Sequence, residues 1–154
     1  MFVSVCRWLA TASFVVATIL LPAGSLVAQE ASWRDFRGPD RNGYVPKAAV
    51  PLTWSEQQNV TWKSPVLGSG WSSPMVAGGK VWLTTATDHG QKLHVVAVDV
   101  VTCKTMHEQI VFENDKPEKK NALNSYASPS PVIEPGRVYV HFGTYGTACF
   151  DTET

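Results

Sequence analysis

The chain has 154 residues, with 13 Lys and Arg balanced against 13 Asp and Glu. A net charge of zero gives no electrostatic ground for nucleic acid or an anionic membrane as partner. Three cysteines are too few for a disulfide framework, and abundant Val, Thr, Trp and Tyr beside 11 Gly and 10 Pro point to short strands joined by turns.

The first 28 residues read as a signal peptide. Arg7 is the one charge before Glu30. Residues 8–21 are apolar apart from small or hydroxylated positions, and Pro22, Ala23, Gly24, Ser25 and Ala28 follow. This is the charged start, short apolar run and small-residue cleavage zone of an export signal. The run is shorter than the ~20 residues a membrane span needs. Cleavage is expected between Ser25 and Gln29, giving a periplasmic or extracellular protein with no membrane span. Cys6 precedes the apolar run and is not placed to become a lipid-bearing first residue. In an oxidising compartment Cys103 and Cys149 could pair, and that pairing stays open.

Residues 29–58 form an N-terminal extension. Beyond it no segment holds a helical apolar period over three turns. Residues 59–66 alternate around Val60, Trp62 and Ser64. Residues 74–77 are a short apolar run closed by Gly78-Gly79, a pair suited to a tight hairpin turn. Residues 80–86 alternate Val81, Leu83 and Thr85 against Trp82 and Thr84. After the turn Asp88-His89-Gly90, residues 93–98 are nearly all apolar, as in a strand covered on both faces. Residues 106–112 supply a fourth strand. Trp62 and Trp82 are assigned to the sheet core.

An internal repeat organises these strands. Ser73-Pro74-Met75-Val76 returns 57 residues on as Ser130-Pro131-Val132-Ile133, and Gly79-Lys80-Val81-Trp82-Leu83 returns as Gly136-Arg137-Val138-Tyr139-Val140. Val98-Asp99 with Thr102 matches Phe150-Asp151 with Thr154 at an offset of 52, and the difference is assigned to a longer turn over 87–92 in the first copy. Four antiparallel strands in about 50 residues, repeated, is the form of a propeller blade. The fold expected is therefore all-β: a first blade over 59–112, an inter-blade loop over 113–127, and a truncated second blade over 128–154. A closed ring of seven or eight blades needs ~400 residues, so about one and three-quarter blades of such a β-propeller are expected here, with the missing downstream blades as partners.

At Ala97-x-Asp99-x-x-Thr102-x-Lys104 the chain resembles the pyrroloquinoline-quinone-type propeller repeat, whose signature runs Ala-x-Asp-x-x-Thr-Gly-Lys-x-x-Trp. Cys103 stands at the Gly and His107 at the Trp. The second copy fits at Asp151 and Thr154, with Cys149 in the Ala place. In this signature the Asp accepts hydrogen bonds across the turn, the Gly permits a left-handed residue, and the Trp packs on the neighbouring blade. The openings Trp33-Arg34-Asp35-Phe36-Arg37-Gly38-Pro39 and Pro51-Leu52-Thr53-Trp54-Ser55 are also similar to the start of exported propellers of this group. The resemblance implies a non-catalytic binding or scaffold module. The alternative within the same superfamily is a quinone-dependent alcohol or sugar dehydrogenase, in which adjacent cysteines cover pyrroloquinoline quinone and Glu, Asn and Asp hold calcium. No adjacent cysteines and no matching ligand set can be picked out, so the quinone and calcium belong to that alternative alone.

Propeller topology puts the loops 68–72, 87–91, 113–127 and 143–146 on one face. That face carries Trp71, His89, Asn121, Asn124, Tyr126 and Tyr145, a set able to hold a small polar ligand or an extended peptide, or equally to pack the inter-blade loops. Other features carry less. His94 and His141 lie on strands and are not spaced as a metal pair, and no Ser sits in a nucleophile elbow. Asp35, Asp40 and Glu56 form no acid–base pair. Lys116, Lys119 and Lys120 alternate with Asp115 and Glu118 as a solvated loop, and Asn59-Val60-Thr61 is a glycosylation sequon.

Overall fold

A computed structural model describes residues 32–45 and 50–153, so the expected leader, residues 46–49 and the signature residue Thr154 lie outside it. Among the described residues no helix is long and apolar enough to cross a membrane. The regular structure is two antiparallel sheets. The first takes β1 (Met75–Ala77), β2 (Lys80–Thr87), β3 (Lys92–Asp99) and β4 (Thr105–Glu113) in sequential order. The second takes β5 (Val132–Glu134), β6 (Arg137–His141) and β7 (Thr147–Asp151). Gly78 and Gly79 both adopt positive φ, 58° and 65°, which closes β1 onto β2 in a two-residue turn. On β3 the run from Leu93 to Val98 is buried on both faces, as its continuous apolar sequence requires.

The repeat is visible in the register. Met75 pairs with Trp82 and Ala77 with Lys80; Val132 pairs with Tyr139 and Glu134 with Arg137, the same pattern 57 residues on. Lys80 faces Asp99 and Trp82 faces Ala97, while Arg137 faces Asp151 and Tyr139 faces Cys149. The change of offset has a different cause from the one expected. β2 and β3 are eight residues long and β6 and β7 only five. The extra residues of the first copy are strand, paired as Thr85–His94, Ala86–Leu93 and Thr87–Lys92, and the turn itself is not lengthened.

Each sheet meets the other through a different face. Trp82, Ala97 and His107 share one face of the first sheet, by register. Together with Met75, Leu93 and Val95 that face packs against Ile133, Val138, Val140 and Phe142 of the second sheet. Val138 pairs with Phe150, and these correspond by repeat position to Val81 and Val98, which lie on the opposite face of the first sheet. The stacking is head to tail. Hydrogen bonds cross it from Ser73 N to Ser130 Oγ (2.9 Å), Thr84 Oγ1 to Pro129 O (3.2 Å) and Lys80 Nζ to Thr152 O (2.7 Å).

Two expectations are corrected. Residues 59–66 form no strand, because their alternation finds no partner backbone; the only bridge nearby ties Ser55 to Gln58. Trp62 is accordingly 38% exposed and outside the core, whereas Trp82 is buried at 2%. The edge of β1 is instead met by Trp33, whose amide and carbonyl both bond Val76.

The signature turn takes the form its residues imply. Asp99 Oδ1 accepts from Val101 N (3.0 Å), Thr102 N (2.6 Å) and Thr102 Oγ1 (2.8 Å). Cys103, in the glycine place, is left-handed at φ 63°. His107, in the tryptophan place, stacks on Trp82 with centroids 5.5 Å apart and planes 11° from parallel. In the second copy Asp151 Oδ1 accepts from Glu153 N at 2.7 Å. Ala97 is buried and Lys104 exposed. Cys103 and Cys149 are both free.

Candidate functional site

The three extra pairs of β2 and β3 carry the first hairpin past the end of the second and build one side of a cleft. At its floor Ser69 pairs with Ala86 through reciprocal backbone bonds of 3.0 and 2.9 Å. Gly68 makes that approach possible: its φ is +70°, and a Cβ there would lie 2.4 Å from the Ala86 carbonyl oxygen. Above the floor the β2–β3 turn passes through Asp88, His89 and Gly90 at φ 49°, 57° and 91°, three left-handed residues in succession. Two of them are not glycine, a conformation that persists only where the surroundings fix it. The surroundings here are visible. Asp88 pairs with Lys92 at 3.0 Å, Gln91 O accepts from Asn114 N at 2.8 Å, and Tyr126 lies flat against Gly90. A Cβ on Gly90 would fall 2.5 Å from the Tyr126 ring.

The far wall is the loop that joins the sheets. Lys120 Nζ sits 5.6 Å from the Tyr126 ring centroid, a cation–π contact. The space enclosed is about 630 Å³, lined by Gly68, Ser69, residues 86–90, Lys120 and Tyr126. Beneath the rim, Thr87 Oγ1 and His94 Nε2 are hydrogen-bonded at 2.9 Å. Burial lowers the His94 pKa from its usual 6.5, against the pull of Glu108, so the ring is neutral at pH 7. A neutral imidazole bonded to a threonine hydroxyl fixes the turn by hydrogen bonding alone.

The six face residues part company. His89 and Tyr126 line the cleft. Trp71 is 60% exposed, with its amide bonded to Ala127 O, and does not line it. The side chains of Asn121 and Asn124 are used within their own loop, accepting from Leu123 N and Ser125 N. Tyr145 packs on the core and accepts from Glu118 N through its hydroxyl at 3.0 Å, so it ties loop 143–146 to loop 113–127. Four residues of the cleft were not singled out from sequence: Gly68, Ser69, Asp88 and Lys120. Asp88-His89-Gly90 marked the turn, but Lys120 looked like one charge in a mixed solvated run. No cluster of three or more His, Cys, Asp or Glu able to hold a metal ion occurs among the described residues.

The cleft is an open, partly aromatic notch with one cation and one imidazole at its rim, which is the equipment of a binding site for a polar ligand. No family model, curated protein or solved structure matches the chain.

Proposed function

We propose that this is an exported β-propeller protein of the pyrroloquinoline-quinone-like repeat type, acting as a non-catalytic binding or scaffold module. Its cleft between the first hairpin and the inter-sheet loop takes a small polar ligand or an extended peptide. The observation that carries the reading is the head-to-tail stacking of two in-register copies, since sheets that meet through unlike faces can be added in series around an axis. The lengthened hairpin supports the binding role, because it adds nothing to the repeat and supplies the floor of the cleft.

The test is an NMR titration of the full chain with maltotriose and, separately, penta-alanine. Amide shifts confined to Gly68, Ser69, residues 86–90 and Tyr126 are expected for at least one probe. No shift with either counts against a ligand role for the cleft. Adding pyrroloquinoline quinone, calcium, ethanol and a redox dye is the opposing arm: dye reduction that requires the quinone would replace this reading with the dehydrogenase one. Export is checked by N-terminal sequencing of protein from the periplasmic fraction, with a first residue between Leu26 and Glu30 expected.

A further inference from the structure

The contact between the sheets can be carried forward by one repeat. Ser73 holds the second sheet through its amide and Lys80 through its ammonium group, which also lies 3.9 Å from Glu153. Lys80 has only 15% of its side chain exposed, so this bond to the Thr152 carbonyl sits inside the junction. The amide donor and its acceptor are equivalent positions of successive copies, Ser73 and Ser130, 57 residues apart. One repeat further along, Ser130 takes the place of Ser73 and Arg137 that of Lys80. On the same face Val132, Tyr139 and Cys149 take the places of Met75, Trp82 and Ala97. In the first sheet these positions are buried, at 0%, 2% and 0% exposure. In the second, Val132 is 58% exposed, Tyr139 half-buried and Cys149 exposed.

We infer that the outer face of the second sheet docks one further antiparallel sheet of this same repeat, held by Arg137 through a turn carbonyl and by Ser130 through a hydroxyl. The occupant's chemistry follows from what covers the equivalent face of the first sheet. It presents small aliphatic side chains at the places of Val138 and Val140, a serine hydroxyl at that of Ser130, and a free main-chain carbonyl at that of Thr152. Arginine suits the second junction because its fork of donors spans a rim carbonyl and a neighbouring acceptor together. The inference rests on the propeller reading and adds the residues that fasten the next sheet.

Cys149 lies on the face in question and reports its cover. The test takes the full chain with Cys6→Ser and Cys103→Ser, extended at its C-terminus by a second copy of residues 114–154 whose own cysteine is replaced by Ala. Reaction of Cys149 with a maleimide is then timed against the unextended chain. Docking slows the reaction by roughly a hundredfold, as burial under a sheet that opens only transiently demands. Arg137→Ala in the extended chain restores roughly tenfold of the rate, and Arg137→Lys restores much less. Equal rates with and without the extension overturn the docking surface and the propeller reading together. Protection that Arg137→Ala leaves unchanged overturns the fastening role alone. Protection that rises with protein concentration in the unextended chain makes a second copy the occupant and overturns the assignment to a sheet in series. If the extended chain does not fold, hydrogen exchange on the unextended one decides: Lys80→Ala should speed exchange at the Thr152 turn roughly tenfold, and an unchanged rate removes the basis for Arg137.

Discussion

The two sheets are copies that have been put to different uses. The first has both faces covered, a fourth strand with a bulge at Val111, and a hairpin three pairs longer than its counterpart. The second keeps only the repeat's common frame and leaves one face open. Residues that hold the frame sit at equivalent places in both: the Gly-Lys or Gly-Arg after the first turn, and the aspartate of the signature turn. Residues that build the cleft occur in the first copy only. Function has therefore been added as length at the end of a hairpin, where it disturbs no packing between sheets.

Equivalent substitutions in the two copies test this division. Trp82→Ala should cost about 3–5 kcal/mol, since the indole is buried at the junction and stacked on His107. The counterpart Tyr139→Ala should lower stability far less, because its face is open. Urea unfolding followed by circular dichroism reads both, and equal losses would mean that the copies are packed alike. Next come the turns. Gly90→Ala meets the Tyr126 ring and a left-handed backbone together, and about 2–3 kcal/mol is expected. Gly136→Ala, at φ +79° with open space around it, should cost only the backbone penalty of about 1 kcal/mol. A comparable loss at both sites would show that Tyr126 does not press on the turn.

Smaller effects sharpen the picture. Cys103→Gly should stabilise by about 0.5–1 kcal/mol, as the left-handed strain at φ 63° exceeds what glycine loses in the unfolded chain. A thermal melt that does not rise would place the strain elsewhere. His94 has a lowered pKa in the fold, so the unfolded chain takes up the proton first. Its contribution is complete above pH 6.5 and erodes as pH falls from there towards the lower folded value. His94→Gln should flatten that slope in melts between pH 7.5 and about 5.

The sequence announced the frame because the frame is repeated. Gly78-Gly79, the Val-rich β3 and the matched pairs Val81–Val138 and Asp99–Asp151 signal themselves twice, and the register confirms the spacing of both. Residues 59–66 misled for the opposite reason. Alternation around Val60 and Trp62 meets the local requirement for a strand, but pairing is a long-range property and no backbone lies opposite. The turn at 87–92 misled in a subtler way. Threonine, histidine and lysine at its edges read as loop residues, yet Thr87 and His94 satisfy each other by a hydrogen bond and so remain strand. The cleft was half legible. His89 and Tyr126 stood out as aromatic or titratable loop residues, while Gly68 and Lys120 matter through a close backbone approach and a ring contact that no spacing encodes.

Head-to-tail contact gives this molecule a polarity. An interface made of two unlike surfaces has a plug and a socket, and two plugs cannot mate, so a two-fold dimer through these faces is excluded. Growth by such contacts proceeds in one direction and ends only when a ring closes or a plug is blunted. A single charge introduced at Tyr139 would act as a chain terminator. It would leave the fold of its own sheet intact while refusing whatever comes next.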